Sequence, residues 1–446
     1  ESRTFDGFRK TVANEISDIY VVDLGGDVRA NPKLSGTKHN VFGIQTGVAI
    51  SFMVKRAVPA KDKKPAKVHY ARRPEMETAD DKLSFLGSNP LRSLKFEQVK
   101  PDKTHNWVNL TDNDFEDHIP LASKDTKAAK TAGKEKAIFK LFSLGVVTAR
   151  DDWVFDYDRK VLEKKVKFLI KEYNENLKQS ADEIDNPKLS CNIKWSRAVK
   201  NDLKNGLKYE YVSSHVIDAI YRPFTKAYLY FDKQLNEMQY QLSAMYRAEE
   251  NQTISFLSIS SSNQLAVMGV NQVFDYCLLK MGNGGTQAVS RWVYDLNGNR
   301  VDNITDWALK QFTANYKTSG KSKKISKEAI FHYCYAVLHD PIYREKYALN
   351  LKREFPRIPF YTDFWQWAAW GEQLMALHIG YEGVAPFKLE RVDIEDTKAR
   401  TAGQQPKAML KSDADAGSIT LDSETTLRGI PQAAWTYKLG NRCAID

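Results

Sequence analysis

The chain has 446 residues, 42% hydrophobic and 27% charged, with a formal net charge of +10, so its length allows about two to four domains with cores that need neither disulfide nor metal. The basic balance favours an anionic partner, nucleic acid first. Cys191, Cys277, Cys334 and Cys443 are widely spaced, which argues against a zinc cluster or a disulfide framework and fits a reducing cytoplasm.

Phe5 to Glu15 reads as a short helix feeding a strand at Ile19 to Leu24, which Gly25-Gly26-Asp27 closes with a turn. Val48 to Val54 is a second β-prone run, and between the two lies a glycine-punctuated loop with one aromatic, Phe42. The most apolar stretch, Val41 to Val54, contains Gln45, Thr46 and Ser51 and is shorter than the roughly 20 residues of a membrane span. The first residues carry no apolar leader, and a start at Glu1 reads as a piece of a longer polypeptide. Val58 to Pro74 is basic and proline-bearing and reads as a solvated linker or flap. A second lysine-rich stretch, Lys124 to Lys136, is where the major domain boundary is expected.

From Ala137 the pattern predicts a short apolar helix, then a helix over about Tyr157 to Leu177 with apolar positions at Val161, Leu162, Val166, Leu169 and Ile170. Val216 to Phe231 is strand-rich. Ile254 to Ile259 alternates apolar residues with serines, the signature of a half-buried strand. Ser326, Asp340 before Pro341, and Asp363 with Gln366 are helix-start signals for three consecutive helices. In the last, Phe364, Trp367, Ala368, Gly371, Leu374, Met375 and His378 share a face, ahead of Gly380. Short β-prone pieces follow Glu382.

The chemistry-bearing groups each have a plainer alternative. An aromatic beside a strand is usually core, but a ring on a loop between rigid strands can also stack on an extruded base, and the polar neighbours His39, Asn40 and Gln45 favour exposure of Phe42. Asp23 to Asp27 resembles a ligand-holding glycine turn, yet it lacks the G-x-G spacing and a following helix, so an ordinary turn is the better reading. Gly282, Gly284 and Gly285 precede Gln287 and Arg291, which could reach base edges or phosphates or simply join a hairpin. Arg222 and Lys226 are further candidates by chemistry alone. Lys317 to Lys327 is a basic loop in which Lys323 and Lys324 would add salt-sensitive phosphate attraction or only solvation. His332, His339 and His378 read as structural. No Asn-Pro pair continues into the Pro-aromatic run of an adenine amino-methyltransferase.

Several runs together carry a resemblance: Asp23-Leu-Gly-Gly-Asp-Val-Arg29, Val41-Phe-Gly-Ile-Gln-Thr-Gly-Val-Ala-Ile50, Gly145-Val-Val-Thr-Ala-Arg-Asp151, Tyr221-Arg-Pro-Phe224, Tyr335-Ala-Val-Leu-His339, Phe355-Pro-Arg-Ile-Pro-Phe360 and Tyr437-Lys-Leu-Gly-Asn-Arg442. Over nearly its whole length the chain resembles the C-terminal part of Type ISP restriction-modification enzymes. The resemblance implies an α+β chain: terminal strands of a Rossmann-like γ-type methyltransferase sheet in residues 1–57, a basic linker or insert over 58–136, and a mixed α/β target-recognition domain over 137–446. It implies double-stranded DNA and upstream domains of the same polypeptide as partners, and Phe42 as the ring that stacks on a flipped adenine during N6 methylation. S-adenosylmethionine would bind mostly outside this chain, as would ATP and Mg in upstream domains. A non-enzymatic DNA-binding specificity module, or a protein-interaction domain with core aromatics, are the rival readings.

Overall fold

The computed structural model describes residues 5–28, 34, 36–57, 64–102, 105–108, 113–123, 136–177, 189–247, 251–257, 264–279, 284–316, 324–439, 442–443 and 445. They divide into two units, Glu1–Asn113 and Asp114–Asp446.

In the first unit, helix α1 (Asp6–Glu15) leads into strand β1 (Asp18–Gly25), as its pattern predicts. Strands β2 (Val48–Val54) and β3 (Lys67–Arg72), helix α2 (Ala79–Ser88) and strand β4 (Glu97–Val99) follow. The sheet order is β2-β1-β3-β4, with β1 antiparallel to β2 and parallel to β3. Its small core joins Ile19, Ala66 and Val68 to Val12, Ala13 and Ile16 from the helical side. The expected flap over Val58 to Pro74 therefore contains a sheet strand. Its charged residues Lys67 and Arg72 lie at the strand ends, while Val68 is buried and Tyr70 donates to Asp23 at 2.6 Å. Residues 58–63 and 124–135 lie outside the described residues.

The second unit opens with short strands β5 (Ile119–Pro120), β6 (Ser143–Leu144) and β7 (Phe155–Asp156). Helices α3 (Arg159–Asn176) and α4 (Arg197–Lys204) come next, the first capped by Asp158, whose side chain accepts from Lys160 N and Val161 N. Strands β8 (Val216–Arg222) and β9 (Thr225–Tyr230) form a hairpin. Then come β10 (Thr253–Leu257), β11 (Ala266–Val270), β12 (Val273–Phe274), β13 (Gln287–Ser290), β14 (Trp292–Tyr294) and β15 (Arg300–Asp302). They build sheets of order β11-β10-β13-β6 and β12-β8-β9-β7, and the pair β14-β15.

Two predictions fail here for physical reasons. β10 is buried on both faces: Ile254 and Phe256 face the helical core, while Leu257 joins a second core shared with Met268 and Ala288. Its one serine and one threonine are accommodated by hydrogen bonds, Ser255 Oγ donating to Met268 O at 2.6 Å and Tyr246 Oη donating to Thr253 Oγ1 at 2.8 Å. The segment from Ala137 is extended rather than helical. Ile138 N and Phe139 N donate to Pro120 O and Leu121 O, and Leu141 N to Asn303 Oδ1, so long-range partners take the amides that a helix would need.

Helices α5 (Asp306–Asn315), α6 (Lys327–His339) and α7 (Phe364–Ile379) pack on this sheet, with the pair β5 and β16 (Arg357–Ile358) alongside. Ser326, Asp340 and Asp363 cap as read: their side chains accept from Ala329 N, Ile342 N and Gln366 N. Gly371 is required where α6 and α7 cross, because a Cβ there would lie 1.8 Å from His332 O. Gly380 follows α7 with φ −92°, outside the left-handed region. Beyond it β17 (Glu390–Asp393), β18 (Ala408–Asp413), β19 (Ser418–Asp422) and β20 (Thr425–Arg428) make a thin sheet of order β17-β20-β19-β18, and β21 (Lys438–Leu439) pairs with β22 (Arg442–Cys443).

Candidate nucleic-acid interface

The loop between β1 and β2 is built around Asn40. Its Nδ2 donates to Gly26 O (3.1 Å) and Thr46 O (2.7 Å), and its Oδ1 accepts from Phe42 N (3.0 Å) and Ile44 N (3.4 Å). Gly25 and Gly26 adopt φ +59° and +76°, and a Cβ on Gly26 would lie 2.5 Å from His39 O. At Gly26 the glycine turn is closed by the chain's own return at His39. Lys82 of α2, fully buried, donates its Nζ to His39 O at 2.6 Å, and His39 Nδ1 lies 3.0 Å from Glu77 O.

On this support Phe42 is 73% exposed and Ile44 48%, whereas His39 and Asn40 are 4% and 3% exposed. The sequence reading inverted the roles of the polar neighbours: His39 and Asn40 point inward and pin the backbone while the apolar side chains face solvent. An exposed ring on a loop held by buried hydrogen bonds is a feature that core packing does not explain.

The other sequence candidates lie in the second unit. Arg222 ends β8 and Lys226 sits on β9 of the same hairpin, Phe224 taking φ +52° at the turn. Arg222 donates to Asp275 Oδ1 at 2.8 Å and to Tyr221 O at 2.6 Å, lies 3.8 Å from Asp151, and stacks over its own Tyr221 ring at 3.9 Å. Burial pushes the Asp275 carboxyl up to about 6, outweighing the amide of Cys277 and the guanidinium that favour its charged form. Lys226 pairs with Glu382 at 2.6 Å and lies 5.6 Å from the Tyr381 ring.

Gln287 is half-buried on β13, opposite Phe256 and Leu144. Tyr276, next to Asp275, meets the residues just ahead of this strand: Thr286 N donates to Tyr276 O at 2.9 Å, and a Cβ on Gly285 would meet the Tyr276 ring. Arg291 is 7% exposed, pairs with Asp302 and lies over the Trp292 ring at 3.8 Å, so its guanidinium is committed within the fold. Lys324 is exposed ahead of α6, and Lys323 lies outside the described residues. Lys327 pairs with Asp306 at 2.7 Å.

The histidines are structural in placement, as the sequence suggested. His378 bonds to the hydroxyls of Tyr335 and Tyr437, and His339 Nδ1 lies 2.8 Å from Tyr335 O. Burial holds His339 at about 3 and His378 at about 4, keeping both neutral. Sequence reasoning misassigned Asn40 and missed Lys82 and Asp275; Asp275 stands out as a charge in an apolar run, whereas Lys82, beside Asp80 and Asp81, gives no such signal. Among the described residues no group of three or more His, Cys, Asp or Glu side chains could hold a metal, and no helix is long and apolar enough to cross a membrane.

Comparison with known proteins shows what the chain is similar to. The model of the Type ISP C-terminal specificity domain matches residues 137–446. Among solved structures, a DrdV–DNA complex is similar over 100% of this chain and 44% of its own, with 41% identity and a TM-score of 0.81. A nuclease-deletion mutant of the Type ISP restriction-modification enzyme LlaGI, in complex with a DNA substrate mimic, is 26% identical with a TM-score of 0.72, over 100% of this chain and 40% of its own. The ATP-dependent Type ISP enzyme LlaBIII bound to DNA, 22% identical with a TM-score of 0.75 over 98% of this chain and 28% of its own, is similar in fold. No curated protein matches. The chain thus spans less than half the length of these neighbours, and through residues 137–446 it belongs to the Type ISP C-terminal specificity-domain family.

Proposed function

We propose that this chain grips double-stranded DNA and supplies sequence recognition, together with one wall of the base pocket, for adenine-N6 methylation by a longer restriction-modification polypeptide. Residues 137–446 act as the target-recognition domain. Residues 1–57 supply the closing strands of a Rossmann-like methyltransferase sheet, which β3 and β4 extend. S-adenosylmethionine binds mostly outside this chain, and the ATP and Mg of ATP-dependent restriction bind in upstream domains.

The observation that carries this reading is the solvent-facing ring of Phe42 on a loop pinned from within, in a chain whose solved neighbours are DNA complexes. A flat, rigidly mounted aromatic offers stacking to an unpaired base, worth about 1–3 kcal/mol per base. Arg222 and Lys226 flank one hairpin and add charge for phosphates, with the ion pairs to Asp275 and Glu382 aiming them. Arg291 takes a supporting part through Asp302 and Trp292.

Selection from a pool of random duplexes with the purified chain tests the proposal. Enrichment of one sequence, with affinity falling steeply as salt rises, is expected. Binding without enrichment would reject sequence recognition, and salt-independent binding would reject phosphate contact. In the full-length enzyme, methylation of adenine within the enriched sequence separates the enzymatic reading from that of a non-enzymatic specificity module.

A further inference from the structure

We propose that Asn40 is the positioning residue of a two-pronged apolar tip, in which Phe42 covers the extruded base and Ile44 enters the gap that the base leaves in the stack. This deepens the reading above and rests on its assignment of an unstacked nucleobase to this loop. One carboxamide oxygen accepts from the amides of both Phe42 and Ile44, and the same side chain's nitrogen ties the loop to Gly26 O on one side and Thr46 O on the other. Gly43 stands between the prongs at φ +66°, with nothing near its missing Cβ, so its use there is the left-handed backbone. The base of the loop is held independently by the buried Lys82 ammonium on His39 O.

Both prongs are large, apolar and open to solvent, at 73% and 48%. Held in this way, they lose little conformational freedom on binding. A ring that covers an extruded base leaves a gap in the stack, and an aliphatic side chain two residues away has the chemistry to fill it, as apolar wedges do between base steps. Asn40 acts through the prongs and touches no base itself.

The test uses the full chain and the duplex it selects, with 2-aminopurine placed in turn at each adenine. Phe42→Ala and Asn40→Ala should each weaken binding about tenfold and reduce the fluorescence change, in the range expected for one base–aromatic stack. The loss in the double variant should fall well short of the product of the two single losses, because Asn40 works only through Phe42 and Ile44. Ile44→Ala should weaken binding about fivefold with amide exchange of the loop unchanged, whereas Asn40→Ala should speed exchange at Phe42 and Ile44. Asn40→Asp keeps the shared acceptor but loses both donor bonds, to Gly26 O and Thr46 O, and should lose the signal as Asn40→Ala does.

Multiplying losses in the double variant, parent-like behaviour of either Asn40 variant, or parent-like binding by Ile44→Ala would each overturn the inference while leaving the stacking role of Phe42 in place. Parent-like fluorescence and affinity in Phe42→Ala would remove that role and the inference with it. A change in oligomeric state with no fluorescence effect would assign the tip to a protein partner and refute it. Should Asn40→Ala fail to fold, the comparison of Asn40→Asp and Ile44→Ala with the parent decides.

Discussion

Replacing Asp275 by Asn should change how the stability of the second unit depends on pH. The carboxyl is 3% exposed and burial raises it to about 6 from an ordinary 3.8, so the folded form holds its proton after the unfolded form has released it. Below about pH 3.8 both states are neutral and the contribution is fully present. As pH rises through 6 it is lost, and a shift of about two units corresponds to about 3 kcal/mol. The difference in urea-unfolding free energy between Asp275→Asn and the parent, followed from about pH 4 to pH 7, cancels the other carboxylates. The parent should lose about 2 kcal/mol relative to the variant across that range, the remainder lying below pH 4 and above pH 7. Parallel curves would refute the dominance of burial; a slope of opposite sign would mean that Arg222, 2.8 Å away, wins and depresses the carboxyl instead.

Gly371→Ala should destabilise the second unit by about 3 kcal/mol or more, read by urea unfolding, because its Cβ would lie 1.8 Å from His332 O and α6 and α7 must part. His378 and His339, held at about 4 and about 3, contribute stability that is fully present above about pH 6.5 and is lost as pH falls through the folded values; imidazole NMR should find both neutral at pH 5. Phe42→Ala should leave the unfolding free energy within about 0.5 kcal/mol of the parent, since the ring is 73% exposed. Gly26→Ala should disorder the Asn40 loop, seen as faster exchange at Phe42 and Ile44, since its Cβ would lie 2.5 Å from His39 O.

Features set by neighbours in sequence were legible, and features set by distant partners were not. Ser326, Asp340 and Asp363 announce helix starts because capping is local. The double burial of β10 depends on two cores meeting at one sheet, and its serine disguises it as half-exposed. The run from Ala137 has helix-like apolarity, but its amides are claimed by Pro120, Leu121 and Asn303, the last more than a hundred and fifty residues away. At the candidate interface, Phe42 was visible as a lone aromatic in a glycine-rich loop. The inward turn of His39 and Asn40 was not, because polarity alone does not reveal a buried hydrogen-bond hub. The pairing of Arg291 with Asp302 and its stacking on Trp292 were likewise not legible in the sequence.

The account stands on an aromatic ring held out of the protein to meet a base. Its most direct test places 2-aminopurine at the target adenine of the intact enzyme's site and compares the parent with Phe42→Ala. A fluorescence change on binding that is altered in the variant, together with slower methylation, is the predicted result. Identical fluorescence and identical methylation in the two proteins would contradict it.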